Sequence, residues 1–375
     1  MLKAALITPN FSLGGAERWV TQLLAHVDPK RVQWTGLVVS GLGGADPRLC
    51  DQAAKYTTLH SHHVRPNERR PGVHPFNPTN ITHWHANLWQ AVEAVTAEAD
   101  VVLTWGIINA AGWYKNVRPM PRVCCSHGTY RESPLRPLTG HTHLVGVAEV
   151  ALDFFVDRPG LQDLPRTVIY NGVDDEHIAQ TMFSSEQRAL WGCDGSDIVV
   201  GCIGRQAAEK NYLRLAESLA YLSQRYRAVY YGQDQRNYGH TAADLLELQD
   251  TFGPRLQCHL PVDPIGNALA GFDVLAITSH REACSLAMLE AWMVGVPVVT
   301  TPVGAVAELQ RKFGELMIVT PPDPSPQVLA EAIQRAAGDE GKQLAAKAMD
   351  VACEHFTIKT MADNWASYLE QTCSY

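Results

Sequence analysis

Two glutamates, Glu282 and Glu290, bracket the start of a helix that the sequence predicts directly after a buried apolar run. Ser285 is a suitable N-cap residue, and it leaves the N–H groups of Leu286 and Ala287 as donors at the positive end of the helix, where a phosphate binds well. Glu290 lies about one turn into the helix, and its side chain leans back toward the N-terminus. Both carboxylates are expected to face one ligand, although the same spacing also fits two solvated glutamates on a surface helix.

Two basic residues, Arg205 and Lys210, follow another buried apolar run, 197–203. In parallel α/β sheets, ligands bind at the carboxyl ends of the strands, which is where this pair lies. Placed over a diphosphate, the two cations would neutralise charge on a leaving nucleotide. Their residue types alone also fit ordinary surface cations, but their position favours a ligand-binding role.

Three polar turns in the N-terminal half also follow predicted strands. Gly14 and Gly15 come after the first one, and paired glycines let a backbone approach a ligand closely or simply make a tight turn. His127 ends a later strand, where it can bind a sugar hydroxyl or transfer a proton, whereas most of the 15 histidines are expected to be structural. Asn171 lies in the third turn. Neither the complete dinucleotide-binding glycine motif nor a P-loop occurs, so a nicotinamide dehydrogenase and a P-loop ATPase lose their usual support.

The sequence predicts no metal site. It contains no Asp-x-Asp, the commonest carboxylate pair for holding a divalent ion on a nucleotide diphosphate. One loop is rich in basic residues: His60, His62, His63, Arg65, Arg69 and Arg70. This loop is suited to an anionic acceptor, and a metal site there is disfavoured because no carboxylate or cysteine accompanies the histidines.

The composition narrows the class of protein. The 375 residues correspond to about two domains. With 46% apolar and 19% charged residues the chain builds a packed core, and its net charge of −8 disfavours nucleic acid as a partner. No apolar run is long enough to span a membrane, and the first one ends too early for a signal peptide. The nine cysteines contain no Cys-x-x-Cys pair, so they are expected to be reduced thiols in the cytoplasm.

Short apolar runs alternate with helix-like segments along the whole chain. Predicted strands cover 4–7, 35–40, 100–104, 123–126, 143–147, 167–170, 197–203, 228–231, 256–260, 273–278 and 296–300. Predicted helices cover 19–27, 212–226, 285–294, 327–337 and 358–370. This alternation indicates an α/β fold with parallel sheets covered on both faces.

The predicted domain architecture is two Rossmann-like domains that face each other across a cleft. The polar stretch 184–196 contains no apolar run and is the expected junction, which gives an N-terminal domain at 1–185 and a C-terminal domain at 186–355. The last helix, within 356–375, is able to pack back on the N-terminal domain.

Taken together, these segments resemble the retaining glycosyltransferases of the GT-B fold, in family four, also described as glycosyl transferases group 1. The resemblance covers nearly the whole chain. It rests on five segments in family order: Gly-Gly-Ala-Glu at 14–17, His127, Asn-Gly-Val-Asp at 171–174, Gly-Arg at 204–205 with Lys-Asn at 210–211, and Glu282 with Glu290.

The resemblance implies an enzyme that transfers a hexose from a nucleotide sugar, a UDP- or GDP-sugar, to an acceptor hydroxyl. The anomeric configuration would be retained, the departing phosphate oxygen would accept the hydroxyl proton, and no divalent metal would be needed. The acceptor would be a sugar, a lipid-linked molecule or a small molecule, selected by residues 59–80 and 127–140. The expected location is the cytoplasm, with at most peripheral membrane contact.

The resemblance also assigns residue roles. It implies that Arg205 and Lys210 bind the diphosphate, that Glu282 contacts the donor sugar, and that Glu290 holds the ribose. The remaining implied donor contacts are Gly14, Gly15, Ser285, Leu286 and Ala287 around the diphosphate, and the acceptor-side residues are His127 and Asn171.

Three positions depart from the family pattern. Ser285 stands where glycine is frequent, so a backbone angle that requires glycine would be strained there. Cys284 replaces a bulkier apolar residue. Gly128 follows His127 where a carboxylate is frequent, so an acidic neighbour does not orient this histidine.

Two other functions fit the same cleft. A nucleotide-sugar epimerase also combines two Rossmann-like domains with a bound nucleotide diphosphate, but the ordered cations and glutamates disfavour it. A non-catalytic nucleotide-sugar-binding protein is disfavoured because every polar position of the site is present.

Overall fold

The computed structural model describes residues 1–8, 11, 14–39, 46–62, 82–105, 114, 116–128, 140–156, 160–179, 184–232, 241–262 and 265–374. The chain divides into two compact units, Met1–Gly172 with Ile358–Tyr375, and Val173–Thr357. Each unit is an α/β layer structure built on one parallel sheet. The predicted α/β fold class is confirmed.

The sheet of the N-terminal unit has eight strands in the described residues, in the order β4-β3-β2-β1-β5-β6-β7-β8. They are β1 Leu2–Thr8, β2 Val32–Val39, β3 Leu59–Ser61, β4 His83–Trp84, β5 Val101–Trp105, β6 Arg122–Ser126, β7 His143–Gly146 and β8 Arg166–Val168. Helices α1 Gly15–His26, α2 Pro47–Ala54, α3 Leu88–Thr96 and α4 Glu149–Val156 connect them. The strand order reverses between β1 and β5, so the carboxyl ends of these two strands form the ligand-binding edge typical of this topology.

The sheet of the C-terminal unit has six strands in the described part of the chain, in the order β11-β10-β9-β12-β13-β14. They are β9 Ile198–Ile203, β10 Tyr226–Tyr231, β11 Leu256–His259, β12 Val274–Ile277, β13 Val298–Thr300 and β14 Ile318–Val319. The helices are α5 Asp175–Ala179, α6 Ser184–Leu190, α7 Tyr212–Ser218, α8 Thr241–Phe252, α9 Gly266–Leu269, α10 Leu286–Met293, α11 Val306–Phe313, α12 Pro326–Ala337 and α13 Asp339–His355. Here the order reverses between β9 and β12.

The last helix, α14 Ile358–Cys373, belongs to the N-terminal unit. Its Trp365 is fully buried and packs edge-on against Trp19 of α1, with 5.3 Å between the ring centroids. Its Glu370 accepts a hydrogen bond from the Arg31 guanidinium at 2.6 Å. The C-terminal end of the chain therefore completes the core of the unit that the N-terminal end begins.

The C-terminal unit begins at Val173, upstream of the residue 186 that the polar junction suggested. The polar stretch 184–196 contains α6, and this helix is attached to the second sheet. Arg188 donates a hydrogen bond to Asp273 at 2.8 Å, and Trp191 donates one to the hydroxyl of Tyr231 at 3.0 Å. The stretch therefore belongs to the C-terminal unit, although most of its residues are exposed.

The helix predicted over 212–226 ends early. Helix α7 stops at Ser218, a 3₁₀ turn covers Leu219–Tyr221, and the next residues turn into β10. Arg255, a buried side chain, caps this end: its guanidinium donates to the carbonyl oxygens of Leu219, Leu222 and Ser223 at 3.0–3.2 Å. These carbonyls are thereby satisfied without a further helical turn.

No helix in the described ranges combines the length and the apolar character needed to cross a bilayer.

Candidate functional site

The carboxyl ends of β9 and β12 carry the predicted cations and glutamates. The two strands are neighbours at the reversal of strand order, so the segments 204–211 and 278–285 that follow them lie side by side. This reversal is where ligands bind in open α/β sheets. The sequence analysis assigned the two segments to one donor, and the fold places them at one edge of the sheet.

Hydrogen bonds join the two segments directly. The Thr278 hydroxyl donates to the carbonyl oxygens of Lys210 and Asn211, each at 2.9 Å, and the His280 N–H donates to the carbonyl oxygen of Glu209 at 2.8 Å. These contacts fix the position of the Lys210 backbone relative to the segment that carries Glu282. Sequence reasoning missed them, because nothing in the spacing pairs Thr278 or His280 with a loop that lies about 70 residues upstream.

Lys210 and Glu282 form an ion pair at the centre of the site. The lysine Nζ donates to Glu282 Oε1 at 2.6 Å, and the Ser279 hydroxyl donates to the same oxygen at 2.7 Å. The side chains of Lys210 and Glu282 are 17% and 15% exposed, so the pair is partly shielded from water. The predicted diphosphate-binding cation and the predicted sugar-binding carboxylate are therefore one polar cluster, in which Ser279 was not foreseen.

Arg205 pairs with Glu209, four residues further along the loop, at 2.9 Å. Its side chain is 39% exposed, which makes it the more accessible of the two cations. Exposed ion pairs of this kind contribute about 0–1 kcal/mol, so an anionic ligand displaces the carboxylate at little cost. Glu209 is a second residue that the sequence did not single out.

Backbone geometry explains two residue types in the loop after β9. Asn211 has φ 49° and ψ 44°, the left-handed conformation that asparagine tolerates better than most residues, and it joins the 3₁₀ turn Ala208–Lys210 to α7. Gly204 has φ 146°, and a Cβ there would lie 2.9 Å from the Tyr212 hydroxyl. The loop that presents Arg205 and Lys210 therefore depends on a glycine at one end and an asparagine at the other.

The N-terminus of α10 lies in the segment that follows β12. Ser285 is its N-cap, and its hydroxyl accepts a hydrogen bond from the Met288 N–H at 3.4 Å, as predicted. Ser285 has φ −66° and ψ 115°, an ordinary conformation for any residue, so the expectation of strain was wrong. Helix geometry leaves the first-turn N–H groups of Leu286 and Ala287 without intrahelical acceptors.

Two further residues of this segment, Cys284 and Glu290, are buried or partly buried. Cys284 is buried, with 6% exposure, so the small side chain that stands in place of a bulkier one is part of the core. Glu290 is partly buried within α10, the element on which its position was predicted.

The other predicted residues belong to the N-terminal unit. Gly14 is the N-cap of α1, and Gly15 is its exposed first residue. A Cβ at Gly14 would lie 2.5 Å from Oε2 of the buried Glu17, so a larger residue here would require this carboxylate to shift. Asn171 is also buried, just beyond β8.

His127 lies just beyond β6 in an aromatic environment. Its ring packs edge-on against Trp19 and Trp105, with centroid distances of 4.6 Å and 6.1 Å. Its Nε2 lies 3.4 Å from Sγ of Cys125. Desolvation lowers the pKa of His127 to about 3, because an imidazolium ion would lose its hydration here. The histidine is therefore neutral near pH 7 and offers one donor and one acceptor nitrogen.

The predicted basic loop lies largely outside the described residues, which include His60 and His62 but not His63, Arg65, Arg69 or Arg70. The same holds for most of the two segments assigned to acceptor choice, 59–80 and 127–140. His60 Nδ1 lies 2.8 Å from Nε2 of His85, and burial lowers the pKa of His60 to about 4. Within the ranges that the structure describes, no three His, Cys, Asp or Glu side chains are grouped to hold a metal ion.

Comparisons with known proteins match part of the chain to a family and the whole chain to a fold. Residues 197–339, which contain every site residue of the C-terminal unit, match the family model described as glycosyl transferases group 1. The whole chain is similar to solved structures with two Rossmann-like domains, the architecture of GT-B glycosyltransferases. No curated protein sequence matches the chain.

Three solved structures illustrate the likeness in fold. Anabaena HepE in complex with UDP-glucose is 20% identical, with a TM-score of 0.78, and the match covers 99% of this chain and 100% of HepE. Sucrose-phosphate synthase from Thermosynechococcus elongatus is 16% identical, with a TM-score of 0.71 and complete coverage of both chains. WaaG, a glycosyltransferase involved in lipopolysaccharide biosynthesis, is 15% identical over 98% of this chain and 99% of its own, with a TM-score of 0.69.

Proposed function

We propose that this protein is a glycosyltransferase that moves a sugar from a nucleoside diphosphate to an acceptor hydroxyl. The observation that carries the proposal is the cluster of Lys210, Glu282 and Ser279, held at 2.6 Å and 2.7 Å at the strand-order reversal of the C-terminal unit. The match of residues 197–339 to the group 1 glycosyl transferases supports it.

The donor diphosphate would bind to positive charge and to backbone donors in the C-terminal unit. Arg205 exchanges its contact with the partly exposed Glu209 for one with a phosphate oxygen, and Lys210 shares its ammonium protons between Glu282 and the diphosphate. The N–H groups of Leu286 and Ala287 add hydrogen bonds at the positive end of α10. Because negative charge grows on the diphosphate as the sugar leaves, these contacts strengthen in the transition state.

The two glutamates would bind different parts of the donor. Glu282 precedes α10 and, with Lys210 and Ser279 on one of its oxygens, accepts a hydrogen bond from a donor-sugar hydroxyl. Glu290 lies inside the helix and accepts hydrogen bonds from the ribose hydroxyls.

The N-terminal unit would supply the acceptor side. The roles assigned to this unit are a contact of Gly15, at the start of α1, with the diphosphate, and contacts of His127 and Asn171 with the reacting sugar and the acceptor. Since His127 is neutral, it acts by hydrogen bonding and not as a charged acid. The acceptor is a sugar, a lipid-linked molecule or a small molecule.

Transfer would proceed with retention and without a divalent metal. The bond between the anomeric carbon and the phosphate oxygen breaks, the acceptor oxygen bonds to the same face, and the departing phosphate oxygen takes the acceptor's hydroxyl proton. Arg205 and Lys210 provide the positive charge that a metal would otherwise supply. Uridine nucleotides are the first donors to test, since HepE has been crystallised with UDP and with UDP-glucose.

A thermal-shift screen tests the proposal. UDP, GDP and ADP, their glucose or mannose conjugates, and the bare nucleosides are compared on the intact protein. One diphosphate and its sugar conjugate are expected to raise the melting temperature, because a ligand at 100 times its dissociation constant adds about 2.7 kcal/mol. The bare nucleoside lacks the diphosphate and is expected to add little. If no nucleoside diphosphate or nucleotide sugar shifts the transition, the proposed function is wrong.

A further inference from the structure

Cys125 contacts His127 from inside the N-terminal sheet. The thiol lies on β6, is fully buried, and places Sγ 3.4 Å from Nε2 of the imidazole. Residues two apart on a strand point to the same face, which is why the cysteine reaches the first residue beyond the strand end. Cys124 points to the opposite face, in an apolar cluster with Leu144 and Phe155.

The protonation states of the two groups determine which one donates the hydrogen bond and which one accepts it. Burial raises the pKa of the Cys125 thiol well above its usual value, so the sulfur carries its proton. His127 is neutral, and its unprotonated ring nitrogen is a strong acceptor, whereas a thiol sulfur is a weak one. The favourable arrangement is therefore S–H donating to Nε2, which leaves the ring proton on Nδ1.

Among the described residues, no side chain other than Cys125 forms a hydrogen bond with the ring. Trp19 and Trp105 restrain it by packing, and the indole N–H of Trp19 is buried without a hydrogen-bond partner among the described residues. Gly128, the next residue, has no side chain. Within the described part of the chain, Nδ1 of His127 makes no hydrogen bond, and the residue is partly exposed.

We propose that Cys125 is a positioning residue: its thiol donates a hydrogen bond to Nε2 of His127 and holds the tautomer that presents Nδ1–H to a substrate hydroxyl. The role in transfer rests on the proposed function, whereas the hydrogen bond itself does not. The donor on Nδ1 would fix the reacting sugar or the acceptor at the N-terminal unit.

Three variants test the assignment. Cys125→Ala removes the donor with little change in volume, Cys125→Ser keeps a hydroxyl donor, and Cys124→Ala is the matched control on the other face of the same strand. Protein labelled with ¹⁵N-histidine is studied by long-range ¹H–¹⁵N correlation, which distinguishes Nδ1–H from Nε2–H. The signals of His127 are assigned by their loss in His127→Gln.

The parent protein, Cys125→Ser and Cys124→Ala are expected to show the Nδ1–H pattern, and Cys125→Ala a shift toward Nε2–H. Donor turnover is expected to fall about tenfold in Cys125→Ala with unchanged affinity for the nucleoside diphosphate, and to recover in Cys125→Ser.

Several outcomes would overturn the proposal. They are an Nε2–H pattern in the parent, a tautomer that does not respond to Cys125→Ala, or full turnover after the tautomer has shifted. If the tautomer responds as expected while the parent transfers no sugar from any nucleotide sugar, the hydrogen bond is supported and the proposed function is contradicted. The NMR measurement thus shows whether Cys125 sets the tautomer of His127 even when no activity is found.

Discussion

Lys210→Ala is expected to lower the turnover of donor by about 10²–10³-fold, the usual cost of losing one preorganised contact to developing charge. The effect should fall on kcat more than on donor affinity, since the ammonium acts on charge that grows as the nucleotide leaves. Arg205→Ala should act in the same direction. The measurement is the kcat and KM of each variant beside its melting temperature.

The control variant removes a cation outside the site, so that the effect of losing Lys210 is distinguished from that of losing any positive charge. Arg214 lies on α7 just beyond the loop and pairs with Asp323 at 3.1 Å, so Arg214→Ala is expected to leave turnover unchanged. Lys210→Ala also leaves Glu282, a partly buried carboxylate, without its partner. The double variant Lys210→Ala with Glu282→Gln removes that charge and shows how much of any destabilisation came from it. Near-parental rates in Lys210→Ala would mean that the cation is structural.

Glu290→Gln and Glu282→Gln are expected to fail in different ways. Glu290→Gln should weaken nucleoside diphosphate and whole donor alike, by about tenfold, because both carry the ribose. Glu282→Gln should lower transfer by about 10²-fold while diphosphate affinity stays the same or rises, since Lys210 loses a competing anion 2.6 Å away. Calorimetric titration with the diphosphate, beside donor kinetics, separates the two roles.

Glu331→Gln is the matched control for these variants. This glutamate is exposed on α12 of the same unit and interacts with Gln327 at 3.1 Å. It should change neither binding nor transfer. An equal loss of diphosphate affinity in Glu282→Gln and Glu290→Gln would contradict the division of roles along this segment.

The sequence predicted those features of the fold that depend on local pattern. Continuous apolar runs identified the buried strands, and Ser285 identified the start of α10. Each of these signals lies within the element that it predicts or next to it, so no distant residue is needed to read it. The short strand β4 carries no such run and was missed. The end of α7 was also missed, because Arg255, which satisfies the carbonyls that follow it, is distant in sequence.

The same distinction holds for the site. Lys210 and Glu282 were each identifiable as functional residues, but their pairing joins positions 72 residues apart and depends on the neighbouring positions of β9 and β12. Ser279 and Glu209 were overlooked because serine and glutamate are common in loops. The tautomer-setting contact of Cys125 was hidden among nine cysteines that had no spacing signal.

The central claim is metal-independent sugar transfer with retention at the cluster of Lys210 and Glu282. It is tested most directly by following a bound nucleotide sugar by ¹H NMR, with water or an added sugar as acceptor, in excess chelator. The predicted result is release of nucleoside diphosphate together with a first-formed product that keeps the donor's anomeric configuration, and loss of both in Lys210→Ala. An inverted first product, an isomerised nucleotide sugar, or turnover that returns only when Mg²⁺ or Mn²⁺ is added would contradict the account.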